Sequence, residues 1–269
     1  MAISLVLAFL VGTKAFADER QPVPETRPGF LEGYLTREAL PDSAALLPPP
    51  PAVGSAAGAL DQDTARARLA LRDTPRWKLA AKDADLTFPN AAGVFSCALG
   101  VAVDEHATPR LDTMLRRVLT DAGLATYAAK DKYQHARPFM LDQQPTCTPD
   151  EEERLRKDGS YPSAHAAIGW AWALVLAEAA PEQSKAIFAR GLAFGESRVV
   201  CNVHWASDVV EGRIIGAATV AKLHADPTFL ADLTAAKAEL VAARAKRLAP
   251  QRDCKFEAAA LGQKMSETQ

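Results

Sequence analysis

From about residue 63 onward, apolar positions recur with a helical period. Leu111, Met114, Leu115, Val118 and Leu119 fall on one face of a helix that Thr108-Pro109 opens with a capping hydroxyl and a proline at the first helical position. That face predicts core packing rather than a cofactor-binding surface. Thr74-Pro75 marks a second helix start in the same way. Residues 163–180 are rich in Ala, Leu and Trp and stop before Pro181, residues 182–196 can form another helix, and 205–224 predict a third that is apolar nearly throughout. A helix apolar on most sides belongs at the centre of a fold. The stretch 229–247 mixes Ala and Leu with Lys, Glu and Arg and reads as a surface helix. No run of alternating β-branched residues is present, so the pattern predicts an all-α, single-domain helical bundle without repeats.

Residues 18–60 differ. Leu46-Leu47-Pro48-Pro49-Pro50-Pro51 and the small residues after it predict an extended Pro-rich arm lying over a domain that spans 61–269. The first residues form a short apolar run followed by Ala15-Phe16-Ala17, a small-x-small pattern that predicts a secretory signal of residues 1–17, cleaved after Ala17. The run falls well short of the ~20 residues a membrane span needs.

Composition narrows the function classes. A hydrophobic fraction of 48% supports a real core, and a formal net charge of −2 provides no global attraction to nucleic acid or anionic membrane, so an anion site has to be local. The four cysteines, Cys97, Cys147, Cys201 and Cys254, show neither a CxxC pair nor zinc-ligand spacing with histidine. In an exported chain they read as two disulfides, with three connectivities open.

Three separated segments carry the chemistry. Lys130 is followed seven residues later by Arg137-Pro138; then come Pro162-Ser163-Ala164-His165, and Ser197-Arg198 with His204 and Asp208 behind them. They supply three cations, two imidazoles and a carboxylate, the set that metal-free phosphoryl transfer requires. His204 and Asp208, four apart, are expected on one helix face, the carboxylate accepting the Nδ1 proton and leaving Nε2 free as nucleophile. Arg198 offers a planar fork to phosphate oxygens. Gly159 to His165 forms a turn leading into a helix, whose backbone N–H groups and Ser163 hydroxyl make an anion site with His165 at its rim as proton donor. Arg137, directly before a proline, marks a helix end. Lys132, His135, His106 and His224 read as members of solvated faces.

In this order and spacing, the segments resemble the three-part signature Lys-x6-Arg-Pro, Pro-Ser-Gly-His and Ser-Arg-x5-His-x3-Asp of the type 2 phosphatidic acid phosphatase superfamily, shared with vanadium haloperoxidases. The Pro-rich stretch, Gly-Ser-Tyr-Pro-Ser before His165 and Gly-Trp-Ala-Trp-Ala-Leu-Val-Leu-Ala-Glu after it resemble the soluble bacterial class A non-specific acid phosphatases. The resemblance implies a periplasmic or secreted enzyme that hydrolyses small-molecule phosphate esters through a phosphohistidine. It implies no cofactor or metal, no nucleic-acid partner and no membrane association after signal cleavage, and leaves open both a homo-oligomer and transfer to alcohols. By position, His204 corresponds to the nucleophile, His165 to the general acid and Asp208 to the orienting carboxylate. Lys130, Arg137, Ser163, Ala164 and Arg198 correspond to the phosphate cradle. Relatives often carry cysteines at positions matching Cys147 and Cys201, which implies that pair and leaves Cys97 with Cys254. One residue departs from the signature: Ala164 replaces its glycine, and a left-handed backbone there would cost about 1 kcal/mol or more.

Overall fold

The computed structural model describes residues 22–262; the segment 1–17 read as a secretory signal lies outside them. The all-α class holds. Among the described residues, strand structure is confined to an antiparallel ribbon, β1 (Glu25–Arg27) and β2 (Phe30–Leu31). The longer helices are α1 (Ala56–Leu69), α2 (Pro75–Asp83), α3 (Pro109–Leu124), α4 (Tyr127–Tyr133), α5 (Ala164–Ala179), α6 (Ser184–Val200), α7 (Ala206–Leu223), α8 (Pro227–Ala245) and α9 (Cys254–Gly262). Helical turns at Pro138–Asp142 and Glu152–Leu155 lie between α4 and α5.

Helix α5 is the centre of the bundle, and α3, α6, α7 and α8 pack around it. Its Ala-rich sequence lets neighbours approach closely, while Ile168, Trp172, Val175 and Leu176 fill the space between them. The tightest approach is to α7, where a Cβ at Gly212 or Gly216 would collide with the backbone of Ser163 or Ala167. Glycine at these two positions therefore fixes the N-terminal ends of α5 and α7 side by side.

Helix α3 buries Leu111, Met114, Leu115, Val118 and Leu119, as its spacing predicts. It starts at Pro109, yet Thr108 makes no side-chain cap. A tertiary contact does that work: the Glu239 carboxylate of α8 accepts from the Arg110 and Leu111 N–H groups at 3.2 and 2.9 Å. Helix α8 is a surface helix, as its charges suggest, yet it turns one face inward. Phe229, Leu233, Ala236, Leu240 and Ala243, at alternating spacings of four and three, are buried against the core. Helix α7 departs from its expected central place, leaving Val210 and Ile214 about half exposed, at 51% and 47%.

The arm expected to be extended over 18–60 also carries local structure. Besides the ribbon it contains a helical turn, Ser43–Leu46, capped by Asp42, and α1 already begins at Ala56 behind a Ser55 cap. Hydrogen bonds from Tyr34 and Leu35 N–H to the Asp121 carboxylate, and from the Thr120 hydroxyl to Leu31 O, fasten this segment to α3. The Pro48 carbonyl accepts from the Tyr161 hydroxyl at 2.7 Å, so the proline tract rests on the loop that leads into α5. Cys97 is bonded to Cys254 and Cys147 to Cys201, with Cα atoms 5.5 and 4.7 Å apart, the pairing implied by the resemblance.

Candidate active site

The three sequence segments converge where α5 and α7 begin. Lys130 comes from α4, and Arg137 is the extended residue before the turn Pro138–Asp142. Ser163 is the N-cap of α5, accepting from Ala166 N–H at 3.3 Å; Ala164 and His165 are the first helical residues. The hydroxyl proton of Ser163 and the first N–H groups of α5, which lack intrahelical acceptors, stay available to an anion. Arg198 lies in the last turn of α6, and the chain returns through His204 into α7, where Asp208 occupies the first turn. Lys130, Arg137, Ser163, Arg198, His204 and Asp208 are all buried, none more than 3% exposed, whereas Ala164 and His165 are partly exposed and mark the side open to solvent.

His204 and Asp208 meet, though by a different route from one helix face. His204 precedes the N-cap Trp205 and is not helical. Asp208 turns back across the helix start, and its Oδ2 accepts from Trp205 N–H at 2.9 Å and from His204 Nδ1 at 3.2 Å. With Nδ1 donating, the Nε2 lone pair is left for Arg137 Nη1, which donates to it at 3.1 Å. The returning loop is braced on several sides. Val203 and His204 N–H groups donate to Arg198 O at 3.1 and 3.3 Å, the Asn202 amide donates to the Asp142 carboxylate at 3.1 Å, and Cys201 is tied to Cys147.

Each cation is held differently. Arg137 donates to Leu155 O, Val203 O and the Asp158 carboxylate at 2.9, 2.9 and 3.0 Å. Lys130 donates to Gly159 O and lies 3.4 Å from Asp158 Oδ2. Arg198 is the exception: Nε, Nη1 and Nη2 are all buried without a hydrogen-bond partner, and Glu151 Oε2 stands 4.0 Å from Nη2. Buried unbonded donors on a full charge are unfavourable, and an anion in front of Arg198 would satisfy them.

Titration behaviour follows from burial first and from the neighbouring positive charge second. Burial and the neighbouring Arg137 push Lys130 down to about 8, and burial brings Arg198 down to about 10 against a partial counter-effect of Glu151. Burial lowers both imidazoles, helped by Arg198 at His165 and by Arg137 at His204. Asp208 goes the other way from what its burial alone would produce. The His135 imidazole beside it and hydrogen bonds from His204 and Trp205 hold it well below the usual carboxylate range, so it stays ionised in acid. His165 Nε2 donates to Ala84 O at 3.0 Å and the ring stacks on Phe194, which leaves Nδ1 as the nitrogen that can exchange a proton. Asp83, next to Ala84, accepts from Ser197 Oγ at 2.6 Å and from Arg190 at 3.1 Å, joining the support of His165 to the residue before Arg198.

The PAP2 superfamily model matches residues 115–229, a stretch that contains Lys130, Arg137, Ser163, Ala164, His165, Arg198, His204 and Asp208. A non-specific acid phosphatase of Providencia stuartii is 46% identical over 207 residues, covering 77% of this chain and 84% of the relative. One from Salmonella typhimurium is 43% identical over 211 residues, covering 78% and 84%. The chain belongs to the PAP2 superfamily. It falls among the bacterial non-specific acid phosphatases. An acid phosphatase of Zymomonas mobilis is 39% identical over 209 residues, 78% of this chain and 79% of the relative.

In this acid phosphatase the Ala164 methyl meets no backbone conflict. Ala164 is the first residue of a regular helix and is not among the residues with positive φ, so the strain that a left-handed glycine position would impose does not arise. Two site residues escape a reading by sequence. Asp158, which no motif marks, bridges Lys130 and Arg137. His135, expected on a solvated face, instead lies 3.4 Å from Asp208 Oδ1, with its side chain only 22% exposed. The alternation of His135 and Arg137 with Tyr133, the last residue of α4, is the one available signal. His106 and the pair formed by His224 with Glu178 do lie at the surface, and Lys132 reaches Ala44 O there.

Proposed function

We propose that this acid phosphatase hydrolyses phosphate monoesters without a metal, through a phosphohistidine on His204. The observation that carries the reading is the His204 tautomer: Nδ1 is committed to Asp208, and Nε2 points its lone pair at the cationic group Arg137. Lys130, Arg137 and Arg198 provide the fixed positive charge that a metal supplies in other phosphatases, and with the N-terminal N–H groups of α5 and the Ser163 hydroxyl they hold the equatorial phosphate oxygens. Nε2 forms a bond to phosphorus as the ester P–O bond breaks in line, and His165 Nδ1 delivers its proton to the departing alkoxide. Water then attacks phosphorus, gives its proton to His165, and releases phosphate from Nε2. An alcohol in place of that water gives phosphate transfer as a side activity.

The lowered pKa of His165 belongs to the site without an anion. A bound phosphate dianion reverses the local sign of charge and favours the imidazolium that the first step uses. Because His165 has to be protonated for that step, activity falls as pH rises through its pKa in the complex. Small-molecule phosphate esters are the substrate class, in keeping with the acid phosphatases among its relatives and with a site that opens beside His165. The two disulfides fit a periplasmic or secreted location. Among the described residues no helix is long and apolar enough to cross a membrane.

The test is phosphate release from an aryl phosphate at mildly acidic pH in excess chelator, for the wild type beside His204→Ala. Turnover that survives chelation and vanishes in the variant is expected. Turnover in both would show that His204 is not the nucleophile, and loss of wild-type turnover in chelator would overturn metal independence.

A further inference from the structure

Asp208 presents two oxygens to two different histidines. Oδ2 is occupied by Trp205 N–H and His204 Nδ1. Oδ1 is buried and has no hydrogen bond of ordinary length, and facing it at 3.4 Å is the Nδ1 of His135. The His135 ring is fixed from several directions. Tyr161 meets it edge-on and Trp205 lies tilted against it, each with centroids 6.3 Å away, and Ser160 N–H donates to His135 O at 2.8 Å. Trp205 Nε1 donates to Ala136 O at 2.8 Å, locking the backbone beside it.

The tautomer of this ring is decided by its neighbours. Ser160 Oγ, 3.2 Å from the same Nδ1, has Ala136 O at 3.5 Å as an acceptor for its own proton. If Nδ1 carried a lone pair, that lone pair would face a buried carboxylate oxygen, and Oδ1 would have no donor at all. A proton on Nδ1, shared between Ser160 Oγ and Asp208 Oδ1, gives Oδ1 a donor and leaves the Ser160 hydroxyl proton to Ala136 O.

We propose that His135 is a positioning residue for the phosphatase reaction: its Nδ1–H donates to Asp208 Oδ1 and fixes the plane of the carboxylate that aims His204 Nε2. The proposal rests on the reading of His204 as the nucleophile. A carboxylate held through one oxygen alone can rotate about its χ2 torsion. Clamped between two imidazoles and the Trp205 N–H, it cannot, and the attacking lone pair keeps its direction. The contact joins the first signature segment to the third, because His135 lies between Lys130 and Arg137 in sequence and reaches the start of α7.

Two substitutions separate this role from simple packing. His135→Phe keeps an aromatic ring between Tyr161 and Trp205 but removes the donor, whereas His135→Asn places an amide N–H near the position of Nδ1. The kinetics of aryl phosphate hydrolysis and inhibition by inorganic phosphate are measured for both, beside the wild type and His204→Ala. His135→Phe is expected to lower kcat roughly 10- to 100-fold, with KM and the phosphate inhibition constant changed less than about 3-fold, and His135→Asn to recover most of kcat. An unchanged kcat in His135→Phe, equal losses in the two variants, or a parallel loss of phosphate binding would overturn the proposal. Nitrogen-15 histidine spectra of the ligand-free wild type test it even where a variant does not fold: a protonated Nδ1 at His135 is expected, and an Nε2–H tautomer would sink it. Failure of the underlying reading shows separately, as turnover that persists in His204→Ala.

Discussion

Replacing Arg198 by methionine should make the ligand-free protein more stable while removing its affinity for phosphate. The guanidinium is fully buried, its three nitrogens have no hydrogen-bond partner, and Glu151, 4.0 Å away, is its ion-pair neighbour. Burial lowers its pKa from the usual guanidinium value to about 10, and at about 1.4 kcal/mol per unit the ligand-free protein disfavours the charge by roughly 3 kcal/mol. Methionine fills a similar volume without a charge, and exchanging a poorly compensated buried ion for an apolar residue typically gains about 1–4 kcal/mol. With phosphate the balance reverses. Removing one partner of a desolvated, hydrogen-bonded charge pair costs about 2–5 kcal/mol of binding, a loss of roughly 30- to several-thousand-fold in affinity. The assay is thermal unfolding of wild type and Arg198→Met with and without phosphate. Wild type should gain about 2.7 kcal/mol at 100 times its Kd, and the variant, stable by itself, should gain almost nothing at that concentration. A variant that is less stable without phosphate, yet still stabilised by it, would refute the idea that Arg198 is held in waiting for an anion.

Three further outcomes follow from other parts of the site. Ala164→Gly should leave phosphate inhibition within about 3-fold of wild type and lower stability by up to about 1 kcal/mol, since the helical backbone at this position favours alanine; denaturant unfolding and inhibition kinetics check both. Both imidazoles titrate low in the empty site, so in the folded, ligand-free protein they bind fewer protons than in the unfolded chain. Their contribution to stability is therefore lost as pH falls below about 6.5. Phosphate binding should accordingly take up protons, which calorimetry in buffers of different ionisation enthalpy measures; proton release on binding would contradict the assigned charges. Finally, Cys97–Cys254 closes 157 residues and Cys147–Cys201 closes 54, so chain entropy makes the first bond worth about 1 kcal/mol more, whereas the second braces the His204 loop. Removing Cys97–Cys254 in a double Ala variant should lower Tm more, and removing Cys147–Cys201 should lower kcat more.

Much of this architecture is legible along the chain because it depends on local rules. The buried face of α3 is visible as spacing, the central place of α5 as uninterrupted small and apolar residues, and the loop into α5 as Gly-Ser-Tyr-Pro-Ser. The charges of α8 mark it as a surface helix, and the seam of Phe229, Leu233, Ala236, Leu240 and Ala243 between them marks the face it buries. Charge count reports the solvent-facing side of an amphipathic helix, and apolar spacing reports its buried side.

Residue type and spacing along the chain were sufficient to determine the helical class and to nominate three cations, two imidazoles and a carboxylate for the candidate site, though not Asp158 or His135, because propensity, periodicity and motif order are properties of the chain itself. Partnership was decided only by folding. Which oxygen of Asp208 meets which histidine, why Arg198 has no donor satisfied while Arg137 is fully engaged, and why Glu239 rather than Thr108 caps α3 all depend on groups far apart in sequence. Hydrogen bonds and burial act over a few ångströms in space, so their pattern exists only after α5, α6 and α7 have packed together.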